Sequence, residues 1–182
     1  MDRFKKPKKG KEELHFWKLH FGLNNLEEIP SEIGLLKMIE ADATDTEIGY
    51  IAKRIKHIDE WNLNNSDISD DGVQHMLQLE YIRDLRLKSN RRLTNDCMTY
   101  LDQLTSLEFI HLGSTGVTVD GLLKIPHLTK LKEILISDPG TPDLAAKMRI
   151  VMTALPACRF IINSKEYEDP DAPPDYIKMY QL

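Results

Sequence analysis

The segment Asp67-x-Ser69-x-Asp71-Gly72 alternates oxygen-bearing side chains and closes on a glycine. That is how a calcium loop begins, since a hard cation needs converging oxygens and a sharp turn. The twelfth position of such a loop is Gln78 rather than a bidentate glutamate. At the corresponding places further along, Thr94 to Cys97 and Thr118 to Gly121, the alternating oxygens are gone but the small residue persists. A repeated architectural need therefore accounts for Gly72 better than calcium does. Asp42-Ala43-Thr44-Asp45 gathers two carboxylates and a hydroxyl suited to a hard cation, and the same residue types begin turns and cap helices, which is the reading preferred here.

Cys97 stands in the slot of Gly72 and Gly121, so tolerance of a small side chain explains it; the alternative is a redox-sensitive thiol activated at a helix N-terminus. Cys158, the second of two cysteines, reads as a small core hydrophobe. The six histidines (15, 20, 57, 75, 111 and 127) include no H-E-x-x-H pair, and His15 and His20 miss the i, i+4 zinc spacing by one residue. G-x-S-x-G, P-loop and G-x-G-x-x-G motifs are lacking. The expectation is a protein that is not an enzyme, with no cofactor and no metal.

What would position these residues is a repeat. Ile58, Trp61 and Leu63 match L-x-x-L-x-L, as do Ile82, Leu85 and Leu87, Leu107, Ile110 and Leu112, and Leu131, Ile134 and Ile136, at steps of 24, 25 and 24 residues. A further step of 24 reaches Leu155, Cys158 and Phe160; upstream, Leu36, Ile39 and Ala41 and then Phe16, Leu19 and Phe21 fit the same template, with Asn24 at a ladder position. Between strands, Ser69, Thr94 and Thr118 open segments with apolar residues every three positions, such as Val73, Met76 and Leu79. The change from period two to period three or four marks a strand followed by a helix. One such unit cannot bury its apolar face, so the units must stack. The predicted fold class is α/β, a leucine-rich-repeat solenoid of about six to seven repeats, forming a short right-handed arc with parallel strands on the concave face and helices on the convex face.

Strand residues between the core positions point outward. One column reads Met38, Glu60, Asp84, Phe109 and Glu133, the next Glu40, Asn62, Arg86, His111 and Leu135, and a third Asp42, Asn64, Lys88, Gly113 and Ser137. Mixed charges, amides and the apolar Phe109 and Leu135 suit protein recognition through the concave face. The proposed partner-binding residues are Glu60, Asn62, Asn64, Asp84, Arg86, Lys88, Phe109, His111, Glu133 and Leu135.

The 182 residues are 41% hydrophobic and 29% charged, with net charge -5. Residues 1–11 hold six cations and one acid, net +5, which leaves -10 on the remainder. We expect a basic flexible arm over 1–11, the repeat domain over 12–163, and an acidic Pro-rich tail over 164–182 that ends in the apolar Tyr176, Ile177, Met179, Tyr180 and Leu182. An acidic body argues against nucleic acid as partner. No stretch reaches the roughly 18 to 20 apolar residues that span a bilayer, and the N-terminus has no secretory signal. The expectation is a soluble intracellular protein, cytoplasmic by default.

Two runs go beyond a generic repeat: Asn24 to Pro30 followed by Ile39-Glu40-Ala41-Asp42-Ala43-Thr44-Asp45, and Leu131 to Gly140. With Asp71-Gly72 and Ala154-Leu155-Pro156, they resemble the mitochondrial ATP synthase subunit s (coupling factor B) family and its relatives in assembly of the distal membrane arm of respiratory complex I, over roughly residues 16 to 162. The resemblance implies a non-catalytic protein, peripheral to the mitochondrial inner membrane, that contacts or helps assemble a respiratory complex.

Overall fold

The structure, a computed structural model, describes residues 9–39 and 43–170. Helix α1 (Lys9–Phe21) leads through a 3-10 turn (Leu26–Glu28) into β1 (Glu32–Lys37). Strands and helices then alternate: α2 (Asp45–Arg54), β2 (His57–Asn62), α3 (Asp70–His75), β3 (Tyr81–Arg86), α4 (Met98–Leu101), β4 (Phe109–Leu112), α5 (Val119–Leu122), β5 (Glu133–Ile136), α6 (Leu144–Ala154), β6 (Arg159–Ile162) and β7 (Lys165–Glu166). The seven strands form one sheet in chain order, with β1 to β6 parallel and β7 antiparallel at the end.

Register follows from burial. Leu36 lies opposite Trp61, Trp61 opposite Leu85, Leu85 opposite Ile110, Ile110 opposite Ile134, and Ile134 opposite Phe160. All six are buried and make one row through the core. Each side chain of this size contributes about 1.5–3 kcal/mol when taken out of water. A one-residue slip would turn the row to solvent, so the pairing is strongly specified.

Polar side chains join successive units on the helix side. Asp45 accepts hydrogen bonds from Ser69 N (2.8 Å) and Ser69 Oγ (2.7 Å), and Asp70 from Thr94 N (2.9 Å) and Thr94 Oγ1 (2.6 Å). Asn95 accepts from Thr118 N (2.9 Å) and donates through Nδ2 to Thr118 Oγ1 (3.0 Å). This grip explains the glycines: a Cβ at Gly72 would meet Asp45 Oδ1 at 2.5 Å, and one at Gly121 would meet Asn95 Oδ1 at 2.5 Å. At the turns after the strands, Ser66 donates to Met38 O, Asn90 to Leu63 O and Leu87 O, and Thr115 to Leu112 O. These bonds give side-chain partners to carbonyls at the strand ends, and Leu87 O accepts from Asn90 N as well.

Both ends of the array are closed. Trp17 of α1 is fully buried and stacks with Phe16 and Phe21, and Phe16 also meets Tyr50 of α2. Glu13 pairs with Lys53 (2.8 Å) and Arg54 (2.6 Å). Burial works against its ionisation, yet the hydrogen bonds and charges of Arg54 and Lys53 hold the Glu13 carboxyl below its ordinary value. At the other end Asn163 and Ser164 both take positive φ (51° and 66°), the backbone of a two-residue hairpin, and fold β7 back on β6.

The terminal units differ from the sequence reading. Phe16, Leu19 and Phe21 belong to helix α1 rather than to a strand; Phe16 and Trp17 are buried, Phe21 packs partly against the core and Leu19 is exposed. The first strand places Ile33 and Leu36 opposite Ile58 and Trp61, three residues before the expected register of Leu36, Ile39 and Ala41; Ile39 is exposed and Met38, expected in an outward column, is buried. Asn24 is no ladder residue: it is exposed and bonds locally to Gly22 O, while Asn90 fills that role. The last strand sets Phe160 opposite Ile134, two residues beyond the expected position, because α6 runs to Ala154 and Leu155 still closes that helix. Helix α1 starts at Lys9, inside the stretch expected as a flexible arm, and β7 lies in the expected tail. Residues 1–8, Glu40, Ala41, Asp42 and 171–182, with the apolar terminus from Tyr176 to Leu182, lie outside the described residues.

Candidate partner-binding face

The strand register brings the expected residues into rows. Glu60, Asp84, Phe109 and Glu133 are successive cross-strand partners, and so are Asn62, Arg86, His111 and Leu135. Asn64, Lys88 and Ser137 follow two residues beyond the second row, and Asn64 Oδ1 accepts from Lys88 N at 2.9 Å. The rows extend further than the sequence reading took them. Leu35 and Lys37 flank them on β1 and Arg159 and Ile161 on β6. They were missed because the register of both terminal strands was misplaced; aligning Leu36 with Trp61 and Phe160 with Ile134 finds them.

Asn62 corrects one expectation. It is only 8% exposed, and its Oδ1 accepts from Asn64 N at 3.2 Å, so it shapes the strand end more than it offers a surface.

Arg86 is the centre of the face. Its Nε and Nη2 donate to the two carboxylate oxygens of Asp84 (3.1 and 2.9 Å), Glu60 lies 3.3 Å away, and the guanidinium covers the Phe109 ring at 5.1 Å from the centroid. The Asp84 hydrogen bond, acting against burial and with the charges of Asp84 and Glu60, raises the pKa of Arg86 further. A planar cation held on both edge and face is an ordered feature at low entropic cost to a partner. Glu133 pairs with Arg159 at 3.0 Å, and Arg159 also with Glu166 of β7 at 3.1 Å.

His111 sits half-buried beside this group. Burial first, and then the charges of Lys88 and Arg86, push its imidazole below the ordinary value, which favours the uncharged form. Gly113 makes room for the ring, since a Cβ there would stand 2.9 Å from His111 Nε2.

The groups weighed for chemistry are occupied otherwise. Ser69 donates to Asp45, Asp67 faces Arg92 at 3.3 Å, and Thr44 and Glu47 form the capping box of α2. Among the described residues no three His, Cys, Asp or Glu side chains converge as metal ligands. Cys97 is fully buried, and burial pushes its thiol far up, opposite to the activation considered from sequence; burial likewise pushes Cys158 up to about 12.

Short parallel strands at steps of 24 to 26 residues, each followed by a helix and joined through one continuous apolar row, define a leucine-rich-repeat solenoid. In sequence the chain is similar to mitochondrial ATP synthase subunit s: 31% identical to that of Mus musculus over 107 residues, which are 56% of this chain and 54% of the mouse protein. The Homo sapiens protein of the same name is 29% identical over 119 residues, 59% of this chain and 60% of the human one. The chain thus spans little more than half the length of the curated relatives it matches. No family model matches it. Among solved structures, internalin C2 of Listeria monocytogenes superposes over 87% of this chain and 86% of its own, with a TM-score of 0.46 and 15% identity.

Proposed function

We propose that this chain is a non-catalytic protein-binding module that docks a partner on the concave, open face of its sheet. The observation that supports the reading most is the ordered Asp84–Arg86–Phe109 group at the middle of two outward-facing, mostly half-buried rows of polar and apolar side chains. Apolar anchors inside a polar rim are what protein interfaces use. The acidic body argues against a nucleic-acid partner, and among the described residues no helix is long and apolar enough to cross a membrane. No cofactor enters this reading.

The similarity to ATP synthase subunit s supports a narrower setting. There the module would be a peripheral, mitochondrial accessory or assembly subunit, its partner part of an inner-membrane respiratory complex or the ATP synthase. The test is capture from detergent-solubilised mitochondria by the tagged full chain, with Arg86→Glu, Lys88→Glu and Phe109→Ala combined. Loss of subunits of one such complex, with unchanged circular dichroism, is the expected outcome. Undiminished capture by the triple variant rules out the concave face, and a protein that fractionates wholly with the cytosol rules out the mitochondrial setting.

A further inference from the structure

The outward-facing rows are uneven in charge. Glu60 and Asp84 share the single cation Arg86, and Glu133 shares Arg159 with Glu166 of β7. Lys37 and Lys88 are exposed and have no ion pair among the described residues. Over β1 to β3 the face thus holds Lys37, Arg86 and Lys88 against Glu60 and Asp84, a net of +1, although the whole chain is at -5.

Apolar surface is segregated from those cations. Leu135 and Ile161 are direct cross-strand neighbours on β5 and β6 and are only partly buried, whereas Lys37 ends β1 and Lys88 stands two residues beyond the end of β3. With strands about 4.8 Å apart, β3 and β6 are separated by roughly 14 Å. That is about nine or ten residues of helix.

Resting on the reading that the open face is the docking surface, we propose the chemistry of its partner: a polypeptide segment, acidic at one end and apolar at the other, laid across the strands. Its carboxylates meet Lys88 and Lys37, and its large apolar side chains cover Leu135 and Ile161. A nucleic acid would use the lysines alone, would leave the apolar pair uncovered, and would be repelled by the acidic body.

The test uses the full chain and fluorescein-labelled helical 16-residue peptides read by fluorescence anisotropy. One peptide carries Glu in its first turns and Leu and Phe seven to eleven residues on; a second replaces Glu with Lys; a third replaces the apolar residues with Ser. A single-stranded oligonucleotide is the fourth probe. The acidic-apolar peptide should bind at least tenfold more tightly than the others, and Lys88→Glu and Ile161→Asp should each weaken it at least tenfold with unchanged circular dichroism. Preference for the basic peptide, equal binding of all peptides, or tightest binding of the oligonucleotide overturns the proposal. If the mitochondrial capture is lost in the triple variant while the peptides show no such order, only the partner chemistry is wrong; if capture also persists, the docking face is wrong as well.

Discussion

Asp45 and Ser69, 24 residues apart, are joined twice, by Ser69 N to Oδ1 at 2.8 Å and Ser69 Oγ to Oδ2 at 2.7 Å. One carboxylate thus starts its own helix and fastens the next unit's helix junction. Asp45→Ala leaves both donors without their acceptor and should cost about 2 kcal/mol in urea unfolding. Asp70→Asn should cost under about 1 kcal/mol, because Asn95 already makes the equivalent bonds to Thr118. Equal costs for the two would contradict this account of the ladder.

A methyl group at Gly121 would collide with Asn95 Oδ1 at 2.5 Å and reach Met98 Cγ at 3.0 Å. Gly121→Ala should destabilise by about 1–3 kcal/mol. In a double-mutant cycle with Asn95→Ala, the combined loss should be smaller than the sum of the single losses, because the colliding atom is gone. Additive values would locate the strain elsewhere.

Neither cysteine should react in the folded protein. Both thiols are buried and shifted upward by that burial, Cys158 to about 12. A disulfide reagent at pH 8 should label them only as fast as the chain unfolds, with full labelling in denaturant. Rapid native labelling would refute the packing described for Cys97.

Closure of the first unit rests on Trp17, which is fully buried, whereas Leu19 two residues on is 67% exposed. Trp17→Ala should cost about 3–5 kcal/mol. Leu19→Ala should stay within about 0.5 kcal/mol. Thermal and urea unfolding followed by circular dichroism measure both.

Asp138 links stability to pH. Burial raises its pKa, but hydrogen bonds from Thr141 Oγ1, Thr141 N, Val119 N and Gly140 N outweigh that and leave it lowered. A lowered carboxyl contributes stability above the ordinary aspartate value of about 4, and that stability is lost as pH falls through the lowered value. The difference in unfolding free energy between wild type and Asp138→Ala should therefore be constant from pH 7 to about 5 and shrink below about 4. A difference that persists unchanged at pH 2 would rule out ionisation as its source.

The inner units were legible because only one placement of their apolar residues works. Trp61, Leu85, Ile110 and Ile134 each stand between polar or outward residues, so the pattern leaves no second choice. At the first strand the run Leu35-Leu36-Lys37-Met38-Ile39 allows two registers, and the one adopted buries Leu36 and Met38 and leaves Ile39 exposed. At the last, the longer α6 inserts two residues that a constant step does not anticipate. The residues in the middle of the open face were found for the same reason; Leu35, Lys37, Arg159 and Ile161 were not, because they belong to the two ambiguous strands.

The ladder changes direction near the C-terminal end. Asn95 holds Thr118 N from the preceding unit, while Asp138 holds Val119 N from the following one, so two consecutive amides are clasped from opposite sides. Fraying that enters at either terminus must travel inward to this clasp before the whole can come apart. The stretch of sheet bearing Phe109, His111 and Leu135 lies beside it, so this part of the proposed docking surface should be the slowest in the molecule to exchange its amide hydrogens.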